Sequence, residues 1–296
     1  MRSIKEFYQA KYRGSLFVVK AGGRTIDDDQ ARLSLLSNIQ ELCDSGMKIL
    51  LVYGGGHAID GALIEAGIEP RKQEGRRITG PREMQIIKKV MVGDLGFKVS
   101  ATMSQLGLYG VTLNSTPASW IKIVPRPREN PEDYGYDGRI EAVDHEKIRK
   151  IFEGINFLAT PCLSCTDKDG ININADNVAV ALATGTQARK LIFLSDVDGV
   201  LVDGKTVPYL TDADIPKLIE DGTVTGGMQV KLENCMSALQ LGVKRIHLLD
   251  GFRKDALLTE IYDSIGQATM VIKESDRQAY LNEIEAQKVI KEAMDQ

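Results

Sequence analysis

The chain has 296 residues, 43% hydrophobic and 26% charged. That is enough to bury roughly three-quarters of its unfolded surface in one large α/β domain or two lobes, which excludes disordered and fibrous classes. Its 37 Lys and Arg against 41 Asp and Glu leave a formal charge of −4, without the basic stripe that a phosphate backbone requires, so no nucleic-acid partner is expected.

The four cysteines, Cys43, Cys162, Cys165 and Cys235, are too few for a disulfide scaffold. The start MRSIKEFYQAKYR lacks the apolar core of a signal peptide, and no apolar run approaches the roughly 20 residues that cross a bilayer. A soluble, reduced, cytoplasmic protein without a membrane partner is therefore expected. Cys162 and Cys165 form a C-x-x-C, but no second ligand pair accompanies it and His57, His145 and His247 stand singly. The pair reads as buried strand-end thiols rather than a metal site.

In chain order, residues 1–14 form an N-terminal arm whose Ile4, Phe7, Tyr8 and Tyr12 give a weak helical pattern. Short apolar runs then recur at LFVVK (16–20), KILLVY (48–53), GVTLNS (110–115), NFLATPCL (156–163), KLIFLSDV (190–197), RIHLLD (245–250) and ATMVIK (268–273). Such runs, bounded by Gly or polar residues, predict strands buried on both faces of a largely parallel sheet. Between them, residues 28–46, 81–107, 174–187 and 227–242 carry apolar positions at helical spacing. The alternation predicts an α/β sandwich with right-handed crossovers. Residues 123–139, rich in Pro, Gly and charge, read as a hairpin or excursion. Residues 276–296 read as a C-terminal helix with Tyr280, Ile284 and Ile290 near one stripe.

In open parallel sheets ligands gather beyond the carboxyl ends of strands, so the residues just after each strand are the informative ones. The first run ends in Lys20 followed by Gly22 and Gly23, a cation beside backbone that a ligand can approach closely. The second ends in Gly54, Gly55 and Gly56 ahead of a helical segment whose unpaired N–H groups suit an anion, although three glycines also make an ordinary turn. Asn172, Asn174 and Asp176 alternate, so an extended backbone would turn all three to one side; Asp176 also suits a helix cap. The fifth run ends in Ser195 and Asp196, and Gly226 and Gly227 open the helix bearing Lys231. No G-x-x-x-x-G-K-[ST], G-x-G-x-x-G, protein-kinase or G-x-S-x-G signature is present.

With those residues in place, the chain resembles the amino-acid kinase family over about residues 15–273. The motifs are VVKAGG, YGGGHAID, EGRRITG, Asn172-Ile173-Asn174-Ala175-Asp176, LIFLSDVDGVL and GGMQVKLENCMSAL, in that order. The resemblance implies a three-layer αβα sandwich with a mainly parallel central sheet. It implies an acceptor-binding lobe over 15–165, a nucleotide-binding lobe over 166–275, and transfer of a phosphoryl group from ATP, carried with Mg2+, to a small-molecule carboxylate. Acetylglutamate is the first acceptor it suggests, which would place the reaction in arginine biosynthesis. By the same resemblance Lys20 and Lys231 would neutralise the moving phosphoryl group, Asp176 would hold both ammonium groups, and no metal would be bound by protein ligands alone. Arg77, Asn172, Asn174, Gly55 and Gly56 would face the acceptor. Gly22, Gly23, Ser195, Asp196, Gly226 and Gly227 would face the nucleotide. A homo-oligomer, a dimer or hexamer, is also implied.

The chain departs from the family pattern at His57, where proline is frequent, at VTLNSTPASW, which replaces a glycine-rich segment, and in its added C-terminal helix. These departures touch the acceptor side and the periphery. Another acceptor, such as acetylaminoadipate or a carrier-linked amino acid, and a non-catalytic arginine or nucleotide sensor are the alternatives.

Overall fold

The computed structural model describes residues 4–73, 76–125, 135–165, 169–262 and 268–294. Their main sheet is built from β1 (Leu16–Ala21), β2 (Lys48–Tyr53), β3 (Val111–Thr112), β4 (Phe157–Pro161), β5 (Lys190–Ser195), β6 (Tyr209–Thr211), β7 (Ile246–Asp250) and β8 (Thr269–Ile272). The spatial order is β6-β8-β7-β5-β1-β2-β4-β3. Every adjacent pair runs parallel except β7 and β8.

The apolar runs are strands because both of their faces are covered. Phe17, Val18, Val19, Ile49, Leu50, Leu51, Ile192 and Phe193 are fully buried, each contributing about 1.5–3 kcal/mol of apolar transfer. On one face the Ala175–Gly185 helix packs on β1, β2 and β5, backed by the Gly226–Gln240 helix; the Asp29–Asp44 helix packs on β2 and meets the Gly96–Leu106 and Ala256–Tyr262 helices. The result is an αβα sandwich with a mainly parallel centre. No described helix is long and apolar enough to cross a membrane.

Several expectations change in detail. The run 110–115 pairs only at Val111 and Thr112. The single helix expected over 81–107 is two α-helices, Pro81–Lys88 and Gly96–Leu106, joined by a π-helical stretch, Lys89–Leu95. The 123–139 segment has hairpin legs, Ile121–Pro125 against Gly138–Val143, while 126–134 lies outside the described residues. Cys162 is buried as expected, but Cys165 is exposed.

The N-terminal segment forms a helix, Ile4–Tyr12, whose Tyr8 and Tyr12 are buried against the protein's own core. The C-terminal helix, Arg277–Met294, docks through Tyr280, which meets Tyr209 edge-on at 5.2 Å and lies under Arg245. The Ile290 side chain lies outside the described residues. These two helices frame a cavity of about 550 Å³ that also receives Lys190, His247 and Glu260.

Lys190 yields a stability prediction. Burial lowers its pKa to about 8, against the weaker opposing pull of Glu260 and Glu283; Lys11 and Arg245 push in the same direction as burial. The unfolded chain keeps the lysine proton to about 10.5, so between pH 8 and 10.5 the unfolded state binds more protons and stability rises with pH. Below pH 8 the cost of the buried charge is fully present. Lys190→Met should therefore be more stable than the wild type at pH 7 by about 1–3 kcal/mol, after allowing for the lost contact with the Tyr12 ring. Urea unfolding at several pH values should show that advantage shrinking as pH rises through this window.

Candidate active site

The strand order places the site. From β1 the chain builds outward to β2, β4 and β3, whereas β5 lies on the opposite side of β1 and leads to β7, β8 and β6. The carboxyl ends of β1 and β5 therefore flank a topological switch point, where an open α/β sheet offers a crevice. A cleft of about 460 Å³ lies there.

Lys20 is the penultimate residue of β1, level with Val52 of β2 and Phe193 of β5. Because β1 and β2 are adjacent and parallel, the glycine turns that follow them lie side by side. The Gly54 N–H bonds to the Ala21 carbonyl at 3.1 Å, and a Cβ on Gly23 would lie 2.9 Å from the backbone of Gly55. A Cβ on Gly55 would lie 2.3 Å from Met91 Sδ, in the π-helical stretch. Gly56 differs, since a Cβ there would meet nothing within 4 Å.

These contrasts predict opposite outcomes for two similar changes. Gly23→Ala should cost about 1–3 kcal/mol of stability by forcing two backbones apart, with at least a tenfold loss in kcat/KM as the turns separate. Gly56→Ala should keep its stability within about 0.5 kcal/mol and act on substrate KM instead. Thermal unfolding alongside steady-state kinetics separates the two.

The Asn-x-Asn-Ala-Asp segment folds differently from an extended strip. Asn172 ends the short strand Gly170–Asn172, and the helix begins at Ala175. Asn174 is the cap of that helix, its Oδ1 accepting the N–H groups of Asp176 and Asn177 at 2.9 and 3.1 Å. Asp176 is thereby freed from capping and pairs with Lys20, Nζ to Oδ1 at 2.8 Å, with both side chains about 15% exposed. Lys231 enters the cleft from the Gly226–Gln240 helix with no ion pair to any described residue. Burial lowers its pKa, the Lys20 charge adds to this, and Asp176 and Asp196 oppose it.

The remaining expected residues divide. Gly22, Gly23, Gly55, Gly56, Arg77, Asn172, Asn174, Ser195 and Asp196 all line the cleft. Gly226 and Gly227 do not; they stand exposed at the head of the helix that carries Lys231. Arg77 is buried, with Nη1 2.6 Å from Asp60 Oδ1 and Nη2 donating to the Gly56 carbonyl at 3.2 Å. Asp60 also takes Lys72 at 2.8 Å. These two cations hold its carboxyl below the usual range, although burial alone would raise it.

Asp60, Arg24, Arg76 and Phe252 line the cleft without having been singled out from the sequence. Asp60 follows Gly56 by four residues on one helix, so i,i+4 spacing marks it as sharing the glycine's face. Arg24 reaches across to Asp196 at 2.8 Å. Phe252, 43% exposed, follows β7 and would have emerged from applying the strand-end rule to that run. Arg76 carries no sequence signal beyond its adjacency to Arg77.

Chemically, the crevice offers a largely buried lysine paired with a carboxylate, a second lysine with no ion pair to any described residue, and a floor of glycine backbone. This is equipment for holding and transferring an anionic group. Comparison with known proteins points the same way. The chain is 33% identical over 272 residues to the acetylglutamate kinase of Desulforamulus reducens, covering 90% of this chain and 94% of that one. It is 34% identical over 277 residues to the acetylglutamate kinase of Halothermothrix orenii, at 92% and 94% coverage. Among solved structures it superposes, with a TM-score of 0.81 and 22% identity, on an N-acetylglutamate synthase from Neisseria gonorrhoeae. That match covers 91% of this chain but spans only 62% of the synthase, and it speaks for the fold alone. Residues 15–250 match the model of the amino acid kinase family, a span that takes in Lys20, Asp176, Lys231 and both glycine turns, and the chain belongs to that family.

Proposed function

We propose that the chain transfers the γ-phosphoryl group of ATP to the side-chain carboxylate of N-acetyl-L-glutamate, giving an acyl phosphate in arginine biosynthesis. The observation that carries this reading is the meeting of Lys20, held by its ion pair with Asp176, and Lys231 in a glycine-walled cleft, in a chain similar over nine-tenths of its length to acetylglutamate kinases.

In the reaction a carboxylate oxygen of the acceptor forms a bond to the γ-phosphorus as the bond to the bridging oxygen breaks. ADP leaves with that electron pair. The attacking carboxylate is already ionised, so no protein base is required, and catalysis is positioning plus charge stabilisation. Lys20 and Lys231 would meet the charge on the transferred group and Asp176 would fix Lys20 in place. N–H groups at Gly23, Gly55 and Gly56 would contact phosphoryl oxygens.

Magnesium fits this cleft as a passenger of the nucleotide. Among the described residues no cluster of three His, Cys, Asp or Glu side chains is placed to hold a metal, and Mg2+ characteristically shares phosphate oxygens and water with few protein ligands. When bound it supplies further charge neutralisation along the phosphates. The protein's part is to hold those phosphates.

On this reading the acceptor is received by Arg77 of the 15–165 half together with Asn172 from the start of the 166–275 half, and the nucleotide by Ser195 and Asp196 of that second half. Self-association also belongs to the proposal. Phe97 and Tyr109 stand 71% and 76% exposed, unusual for large apolar side chains, and light scattering on the purified chain tests it. The functional test is an ADP-release assay ranking acetylglutamate against acetylaminoadipate by kcat/KM. Acetylglutamate should lead, and one methylene is worth about 1–3 kcal/mol of discrimination in a fitted pocket. A preference for acetylaminoadipate would reassign the acceptor, and absence of turnover on either would reject the proposal.

A further inference from the structure

Arg32 does not line the cleft, yet it is only 7% exposed and every nitrogen of its guanidinium is engaged. From the Asp29–Asp44 helix, Nη1 donates to the Ile26 and Asp27 carbonyls at 2.8 and 3.3 Å. Nε donates to Thr102 Oγ1 at 2.9 Å, and Nη2 pairs with Asp29 at 2.6 Å. Ile26 and Asp27 end the five-residue helix Gly23–Asp27. Lys98, from the Gly96–Leu106 helix, grips the same end with Nζ 2.6 Å from Asp27 Oδ1. A helix of little more than one turn does not hold itself, and its final carbonyls have no partners within it. The two cations supply partners there and suit the negative end of the helix.

The rest of this short helix faces the reaction centre. Gly23 abuts Gly55 so closely that a Cβ on it would lie 2.9 Å from that backbone. Arg24 crosses to Asp196 at 2.8 Å. A Cβ on Gly251, just past β7, would lie 2.8 Å from Thr25 Oγ1. Three consecutive residues therefore set the spacing between the turn after β1 and the ends of β2, β5 and β7. The helix is about 7 Å long. With no slack at Gly23, its tilt is set where Arg32 and Lys98 hold Ile26 and Asp27.

We infer that Arg32 is a positioning residue for phosphoryl transfer. From outside the cleft it fixes the tilt of the Gly23–Asp27 helix, and with it the alignment of the Gly23 N–H with the glycine turn after β2 and the Arg24–Asp196 contact on the nucleotide side. This rests on the phosphotransfer reading above. Arg32 touches no substrate, and its influence reaches the reaction through Gly23.

The test compares the wild type with Arg32→Ala, Arg32→Lys and a control, Arg277→Met, which releases the C-terminal helix from Asp214 beside the β6 edge of the sheet. Each protein is assayed on ATP and acetylglutamate well below its own thermal midpoint. Arg32→Ala should lower kcat at least tenfold, since misplaced groups lose the reacting geometry, while the acceptor KM changes by no more than about threefold. Arg277→Met should lower the midpoint and leave kcat near wild type, which separates lost positioning from lost stability. Arg32→Lys keeps a charge beneath the two carbonyls and should recover part of the rate, short of wild type because an ammonium cannot reproduce the planar fork. If Arg32→Ala does not fold, Arg32→Lys carries the same comparison. An Arg32 variant with wild-type kcat, or a kcat loss that Arg277→Met reproduces, overturns the inference alone. A wild type that does not phosphorylate acetylglutamate overturns the proposed function and this inference with it.

Discussion

Lys231→Ala should lower kcat by roughly 10²–10³-fold, the usual consequence of removing one preorganised stabiliser of transition-state charge, while changing the acceptor KM by no more than about threefold. The expectation follows from the state of this side chain. It projects into the cleft with no ion pair to any described residue, and its pKa is lowered chiefly by burial and next by the Lys20 charge. A cation held under those conditions gains most when negative charge develops in front of it, so its removal should fall on the chemical step. The same environment fixes a pH dependence. The lysine acts in its charged form and its pKa lies below 10.5, so the basic limb of the kcat/KM profile of the free enzyme should fall at a lower pH than an ordinary lysine would give. Stopped-time ADP assays on wild type and Lys231→Ala check the first statement and a wild-type profile from pH 6 to 10 the second; a variant that retains more than a tenth of wild-type kcat would contradict the first.

Lys20→Ala should be costly twice over. It removes a phosphoryl-facing ammonium, with a rate loss comparable to that of Lys231→Ala, and it strands the Asp176 carboxylate in a site where both side chains are about 15% exposed. Breaking a buried pair from one side costs about 3–5 kcal/mol; partial exposure and the nearby Lys231 charge reduce that here to roughly 2–4. A double variant, Lys20→Met with Asp176→Asn, should recover most of the stability and none of the activity. Urea melts and single-turnover rates on the three proteins separate the two contributions. A double variant no more stable than Lys20→Ala would show that the ion pair is not the source of the loss.

Much of this architecture can be read from the sequence because buried parallel strands leave continuous apolar runs, and β1, β2, β5 and β7 fall where LFVVK, KILLVY, KLIFLSDV and RIHLLD place them. The switch-point crevice is legible for the same reason, since Lys20, the glycine turns and Ser195 sit at the ends of those runs. What stays hidden depends on partners distant in sequence. The reversed direction of β8 is set by its pairing with β7, which no local pattern encodes. The π-helical insertion at Lys89–Leu95 keeps an apolar face close enough to helical spacing to pass for one helix, although it is what carries Met91 against Gly55.

The Asn-x-Asn-Ala-Asp segment shows both sides. Its types announce a polar site, but alternation suggested three parallel side chains, whereas Asn174 turns back to cap the helix and Asp176 goes to Lys20. Arg77 was singled out by resemblance, yet its engagement with Asp60 depends on side-chain geometry that one-dimensional spacing does not hold.

On the proposed function a carboxylate, not a hydroxyl or water, receives the phosphoryl group. An acyl phosphate reacts with hydroxylamine to give a hydroxamate, whereas a phosphate ester or free phosphate does not. Incubation of the purified chain with MgATP, acetylglutamate and hydroxylamine should yield hydroxamate in step with ADP, dependent on both substrates and lost in Lys231→Ala. ADP formation at the same rate without acceptor, or with no hydroxamate, would contradict it.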